Sequence, residues 1–316
     1  MIDTIRVKFL RPLSQDQLRD WDQLARFKAD GTVTRRFVRN LELDPTDMTT
    51  DHLLPQLSVR ATYFPVDYQG HPNITLEFSL PKAVFGNNYT MLTDLQQAVD
   101  CANQRIATIP RLPALDISEG ILIRIDLCYN HQVGPRVGDY INAIAMLEYP
   151  HRRTKLHRNE GAEFRSKHTT TKFYDKLRES LHPDAYGILR QESTYLDPKR
   201  IANFLGKDHP TLQDVTPEWS VAMLNSDLKR LNLLDRTIAN ADTAFASLCE
   251  TYGAYAGPYY WAILKNMQTT NKPTLARKMK LHPRSLDRRI KGIADAGIAL
   301  TLTESSEPLP PLEIHL

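Results

Sequence analysis

The sequence predicts an α+β protein: a sheet domain with helices packed on one face over residues 1–206, followed by an all-α domain over 207–316. Three observations carry this. Strand-like alternation recurs through the first two thirds of the chain, with amphipathic stretches between the strands. After Pro198 the strand signals stop and helical spacing takes over. Between these regions, Gly206–Pro210 (GKDHP) breaks the pattern, as a boundary should.

The elements follow in order. Thr4–Leu10 (TIRVKFL) alternates like a strand. Ser14 and Gln17 form a capping-box pattern that predicts a helix with Leu18, Trp21, Leu24 and Ala25 on one face. Thr34–Leu43, Leu57–Phe64 and Ile74–Leu80 read as strands. A helix over Met91–Ala107 carries Leu92, Leu95, Val99 and Ile106. Ile121–Tyr129 (ILIRIDLCY) is the clearest buried strand, followed by a helix around Val137–Leu147 and β-like segments at Phe164–Phe173 and Gly187–Tyr195. Helices are then expected over Arg200–Leu205, Trp219–Leu234 and Asp235–Tyr252, with a loop at YGAYAGPYYW. There is no internal repeat and no low-complexity tract.

Composition narrows the class. The chain has 316 residues, a length that suits two domains, with 40 Lys+Arg against 37 Asp+Glu, a net of only +3. A balance so close to neutral neither demands nor excludes nucleic acid, so distribution must decide. No apolar run approaches the roughly 20 residues of a membrane span, and the N-terminus lacks the apolar core of a signal peptide. Cys101, Cys128 and Cys249 are odd in number and widely spaced, which argues against a disulfide framework or a cysteine zinc site. A cytoplasmic setting without membrane partners is the expectation.

The charge is concentrated in two places. From His151 to Lys172, Arg152, Arg153, Lys155, Arg158, Arg165, Lys167 and Lys172 face only Glu160 and Glu163. From Lys272 to Lys291 there are eight Lys/Arg and one acid, Asp287. In that second stretch Thr274 is expected to cap a short helix with Leu275, Ala276 and Met279. Leu281-His282-Pro283 turns the chain, and Arg284–Ala296 forms a second helix. Leu286, Ile290 and Ile293 fall on one side of it, with Arg284, Arg288 and Lys291 opposite. One face docks while the other presents cations, as a helix entering the major groove requires. The IALTLT and LEIHL segments complete a candidate two-stranded wing. Residues 259–316 thus resemble a winged helix-turn-helix domain, with Lys280 where such turns often carry Gly. A solvated amphipathic helix pair is the alternative.

Polar residues interrupt three strands. Glu77 and Ser79 share a face of ITLEFSLPK, Arg124 and Asp126 a face of LIRIDLCYN, and Arg190 and Glu192 a face of ILRQESTYL. Buried carboxylates are costly unless paired or bound to a cation. A salt bridge to the neighbouring arginine explains each alone; together they suggest an oxygen-ligand site for Mg²⁺ or Mn²⁺. A fourth patch, SKHTTTKFYDKLRE, places Tyr174 at a strand end with Lys176 two residues on and His168 six before. A tyrosine beside a cation and a divalent metal has what phosphodiester transesterification requires.

The ordered motifs LEFSLPKAVFGNN, LIRIDL, KFYDKLRE and LRQESTYLD, over about residues 70–206, resemble the gene II type replication initiators of filamentous phages and their plasmid and prophage relatives. These are similar to the HUH endonucleases. The resemblance implies an antiparallel HUH/RRM-like sheet domain. It also implies a rolling-circle initiator that cleaves one origin strand, attaches to its 5′ phosphate through tyrosine and later rejoins it. Tyr174 matches the nucleophile, Lys176 its companion and His168 a metal or phosphate ligand. Glu77, Asp126 and Glu192 match metal-ligand positions, although the His-hydrophobe-His triplet of the HUH pattern is absent. Arg152, Arg153, Lys172, Arg284, Arg288 and Lys291 are then expected to contact origin DNA, single-stranded and duplex. With no GxxxxGK[ST] phosphate loop in the chain, unwinding falls to a host helicase. A relaxase or single-strand transposase would share the chemistry, and a non-catalytic DNA-binding regulator would share only the helix-turn-helix. Tyr195 has no motif support as a second nucleophile.

Overall fold

The structure, a computed structural model, describes residues 1–27, 33–43, 46–47, 53–54, 56–66, 70–157 and 160–315. It is α+β, and packing divides the chain into two compact units. These comprise residues 1–128 with 194–220, and residues 129–193 with 221–316, in place of a single boundary near residue 206. The chain leaves the first unit inside one strand and returns inside another.

In the first unit, β1 (Ile2–Phe9), β2 (Asp22–Phe27), β3 (Val33–Leu43), β6 (Leu57–Phe64), β7 (Asn73–Ser79) and the start of β8 (Ile121–Gln132) lie in the order β2-β3-β6-β7-β1-β8. The five pairings along this order are antiparallel. A two-residue pair, β4 (Thr46–Asp47) and β5 (Leu53–Leu54), stands apart. Ile5, Val7, Leu57, Val59, Ile74, Leu76 and Leu122 form the buried side of the sheet. Helices α1 (Leu80–Phe85) and α2 (Leu95–Ala107) are capped by Ser79 and Asp94, and α2 buries Ala98, Val99, Ala102 and Ile106. Helix α5 (Pro198–Leu205) closes the unit.

The helix expected after Ser14 does not form. Its capping box does: Ser14 N–H donates to Gln17 and Gln17 N–H to Ser14. The next residues only turn, and Asp22–Phe27 pairs instead with β3. A single turn is a costly nucleus, and Leu24, 42% exposed, buries nothing that would favour the helix.

In the second unit, the end of β8, β9 (Arg153–His157), β10 (Gly161–Arg165), β11 (Thr169–Asp175) and β12 (Ile188–Tyr195) lie in the order β8-β12-β11-β10-β9. The segment expected as one strand over Phe164–Phe173 is a hairpin, β10 against β11. Arg158 of the basic stretch lies outside the described residues. Helices α3 (Val137–Ala145), α4 (Lys176–Ser180), α6 (Pro217–Arg230) from Val221 onwards, α7 (Ala241–Met267), α8 (Lys272–Lys278) and α9 (Pro283–Asp295) complete the unit.

The glycine- and tyrosine-rich stretch expected as a loop stays helical within α7, broken only at Gly253 (φ 80°, ψ 169°). The break brings Gly257 so close to Cys249 that a Cβ there would meet the Cys249 backbone at 2.5 Å. Leu275, Leu286, Ile290 and Ile293 then pack with Leu248, Ile263 and Leu264 in one core. Asn271, not Thr274, caps α8, accepting from the Thr274 N–H at 3.1 Å.

The turn between α8 and α9 explains the unusual lysine. Lys280 has φ 51°. Leu281 N–H reaches back to Ala276 C=O at 2.8 Å and Lys280 N–H to Arg277 C=O at 3.2 Å, a Schellman closure. A side chain in the left-handed region costs about 1–2 kcal/mol, part of which glycine's greater unfolded-state freedom takes back. Lys280→Gly is therefore expected to raise stability by about 0.5–1 kcal/mol in urea denaturation. A loss of stability would show that the lysine side chain contributes more than its backbone costs.

The two-stranded wing expected after α9 is absent among the described residues. Ile298 and Leu309 each bridge instead to Thr237–Ile238. The tail lies along α3: Thr301 Oγ1 donates to Ala143 C=O at 2.8 Å, and Tyr140 Oη to Pro310 C=O at 2.7 Å. Pro308, Pro310 and Pro311 lack the N–H groups a hairpin ladder needs.

Candidate active site

Two groups of polar side chains sit where the sequence placed chemistry, one in each unit. In the first unit, Glu77 and Asp126 come together with two arginines. Arg124 N–H groups donate to Glu77 at 2.5 Å and, in a bidentate fork, to Asp126 at 3.0 and 2.6 Å. Arg6 takes the other oxygen of Glu77 at 2.5 Å. Each carboxylate thus meets a guanidinium, which already offsets the cost of its partial burial. These residues as placed do not fit a Mg²⁺ or Mn²⁺ ion, because their oxygens accept from arginine. Among the described residues, no group of three or more His, Cys, Asp and Glu side chains gathers as a metal site. The alternation in LIRIDL contained this answer, since Arg124 and Asp126 share a face.

In the second unit, alternation along β11 puts Lys172 and Tyr174 on one face and Thr171 and Phe173 on the other. Glu192 of β12 lies on the Tyr174 side. The Tyr174 phenol donates to Glu192 Oε2 at 3.0 Å, and Lys172 Nζ stands 3.5 Å from Oε1. The Lys176 ammonium is 5.7 Å from the Tyr174 ring centroid and pairs with Glu179 at 2.5 Å. Lys176 is fully buried, so it is not placed to contact a strand passing outside. Asp175 caps α4 and fixes the bend that turns Lys176 inward.

Gly161 stands directly opposite Tyr174 in the hairpin. A Cβ there would lie 2.8 Å from Tyr174 Cβ, so the bare backbone leaves the ring its room. His168 is not brought to this group. It precedes β11, and six residues of strand at about 3.3 Å each put it roughly 20 Å from Tyr174.

The other face of these strands holds a buried hub that sequence reasoning missed. Asp227 of α6, 3% exposed, accepts from Thr171 of β11 at 2.8 Å, from Tyr149 Oη at 2.5 Å and from Ser193 of β12. Arg152 stacks on the Tyr149 ring at 3.8 Å, donates to Thr171 at 2.5 Å and approaches Asp227 at 3.5 Å. Its side chain is 8% exposed, so Arg152 is structural and not available to DNA; Arg153, on β9, is exposed. Burial, with the Asp227 carboxylate beside it, raises the Tyr149 phenol well above its ordinary range. The sequence signal was an acid on an apolar stripe, three residues after Leu224 and four before Leu231.

Next to this hub, His131 hydrogen-bonds Gln191 at 3.1 Å. Burial pushes its imidazole down to about 4, against its hydrogen bonds to the Gln191 side-chain oxygen and to the Glu313 backbone, which raise it. An unfolded histidine titrates near 6.5, so between these values the unfolded chain binds more protons and stability falls as the pH drops. The expected loss between pH 7 and pH 5 is about 2 kcal/mol. Thermal melts should show it, and His131→Asn should flatten it; an unchanged pH dependence in that variant would contradict the assignment.

In α9, Leu286, Ile290 and Ile293 are buried while Arg284, Arg288 and Lys291 are exposed, as the sequence predicted. Gly292 lets the helix meet an aromatic stack: a Cβ would come 2.7 Å from the Tyr260 ring, and Tyr252 Oη donates to Gly292 C=O at 2.6 Å.

No family model matches the chain, and no curated protein matches it by sequence. Among solved structures, the crystal structure of DynU16, a protein in the dynemicin biosynthetic locus, is 12% identical. That alignment covers 71% of this chain and 96% of the other at a TM-score of 0.17, too low to carry an argument. Among the described residues no helix is long and apolar enough to cross a membrane.

Proposed function

We propose that this protein is a tyrosine DNA strand transferase of the rolling-circle initiator kind, nicking one origin strand through Tyr174 and able to rejoin it. The observation that carries the reading is the Tyr174 phenol donating to Glu192 at 3.0 Å with two lysines around it. Glu192 accepts the phenol proton as the Tyr174 oxygen bonds to phosphorus. The bond to the 3′ oxygen breaks, and that oxygen leaves as a hydroxyl after taking a proton from water. Lys176 favours the phenolate by its charge, and Lys172, partly exposed, faces the phosphate. The phosphotyrosine retains the phosphodiester's free energy, so a 3′ hydroxyl reverses the step without ATP. Residues Arg284, Arg288 and Lys291 supply duplex contacts along α9.

The arginine-held Glu77 and Asp126 favour a second reading, a non-catalytic DNA-binding regulator. One assay separates the two. Protein is incubated with a pool of 3′-labelled single-stranded oligonucleotides and with supercoiled plasmid, in Mg²⁺ or Mn²⁺ and in EDTA. A label that migrates with the protein on a denaturing gel supports transfer, and the EDTA arm tells whether a divalent ion is needed. DNA binding without any adduct or nick supports the regulator. Arg288→Ala with Lys291→Ala should weaken duplex binding and lower its salt slope by about 0.9 for each phosphate left unneutralised. An unchanged slope would remove α9 as the duplex-binding element.

A further inference from the structure

The second unit contains a groove of about 670 Å³ that the strand-transfer reading does not use. It is lined by residues 146–152, 230–232 and 267–272, with Thr154 and Leu300, and its size is that of a small-molecule site. Met146, Met267 and Leu300 give it an apolar surface, and Met146 is 54% exposed. Arg230, Lys272 and His151 bring cations or potential cations, while Glu148 is the only carboxylate in the lining. Arg152 also lines the groove, but its charge is already met by Asp227. Arg230 has no ion pair among the described residues, and Lys272 Nζ stands 4.0 Å from the exposed Asp287 carboxylate.

Two turns shape the rim of this groove. His151 (φ 62°) and Asn232 (φ 57°) both adopt left-handed conformations without being glycine, and both line the groove. Asn232 closes the end of α6, where Leu233 N–H donates to Leu228 C=O at 2.8 Å and Asn232 N–H to Lys229 C=O at 3.1 Å. His151 follows Pro150 in a turn closed by Arg152 N–H on Tyr149 C=O at 3.1 Å. The two turns themselves account for these conformations.

We infer that this groove binds a nucleotide, its flat base against the methionine and leucine surface and its phosphate against Arg230 and Lys272. Adaptable thioethers suit the face of a base, and paired cations suit a phosphate. The same chemistry is offered by a free nucleotide or by one unit of a single strand. The inference does not depend on Tyr174.

The test uses the full chain with two probes, dTMP by calorimetry and a fluorescein-labelled dT tetranucleotide by anisotropy. At least one is expected to bind with a Kd below about 1 mM, and Arg230→Ala with Lys272→Ala to weaken it at least about ten-fold. The salt slope for the tetranucleotide should fall by about 0.7 for each phosphate that the double variant leaves unneutralised. Tetranucleotide binding without dTMP binding assigns the site to a strand, and comparable binding of both assigns it to a free nucleotide. Lys199→Ala, an exposed lysine of α5 that belongs to neither the groove nor the proposed DNA-contacting residues, should bind as wild type, which shows that the loss is specific to the groove's cations. Binding of neither probe, an unchanged affinity in a double variant that melts normally, or an equal loss in Lys199→Ala overturns the inference.

Discussion

Tyr174→Phe is expected to abolish the protein–DNA adduct while leaving the fold and duplex binding in place. The substitution removes one oxygen, and with it the only atom that can bond to phosphorus in the proposed step. Its structural cost is one hydrogen bond to Glu192, worth about 1 kcal/mol, because the ring keeps its place opposite Gly161. Glu192→Gln separates proton acceptance from nucleophilic attack. The amide can still accept a hydrogen bond from the phenol but takes up its proton poorly, so the adduct should form about 10²–10⁴ times more slowly. The loss should shrink as the pH rises towards the phenol's own range, which a purely structural role for Glu192 would not produce. An adduct formed by Tyr174→Phe at the wild-type rate would remove the nucleophile from this site.

Asp227→Ala is expected to be the most damaging single change to stability, about 3–5 kcal/mol by chemical denaturation. The carboxylate ties the hidden sides of β11 and β12 to α6 through Thr171 and Ser193, and balances Arg152 and Tyr149. Removing it leaves buried hydroxyls and a guanidinium without their acceptor, the costly half of an asymmetric trade. Asp227→Asn keeps an acceptor but removes the charge facing Arg152, so it should fall between wild type and alanine. The same strands carry Tyr174 and Glu192 on their other face. Destabilised variants that remain folded should therefore lose adduct rate before they lose binding to α9. An alanine variant as stable as wild type would show that the hub's partners find other acceptors.

Much of the fold was legible in the sequence because local pattern and tertiary demand agreed. The alternation in Leu57–Phe64 and Ile121–Tyr129 and the stripe of Leu286, Ile290 and Ile293 all lie where the structure buries them. Legibility failed where a distant partner decided. The capping box at Ser14 is real, but pairing with β3 outcompetes the helix it would start. The segments expected to form the wing bridge instead, through Ile298 and Leu309, to Thr237–Ile238, which no local pattern announces. In the candidate site, the structure gathers Tyr174, Lys176 and Glu192, which motif order singles out with Glu192 as a metal ligand, and it exposes Arg284, Arg288 and Lys291 on the side of α9 that helical phase gives them. The pairing of Glu77 with Arg6 was not, because it crosses 71 residues of sequence. Arg152 looked like one more member of a basic run until Asp227, far along the chain, claimed it.

The central claim is that the Tyr174 oxygen becomes covalently bonded to DNA. Mass spectrometry of the nuclease-trimmed adduct after proteolysis tests this most directly. The expected result is a nucleotide mass on the peptide containing KFYDK, localised by fragmentation to Tyr174 and absent from the Tyr174→Phe protein. A nucleotide on any other residue, or nicked DNA with no modified peptide at all, would contradict it.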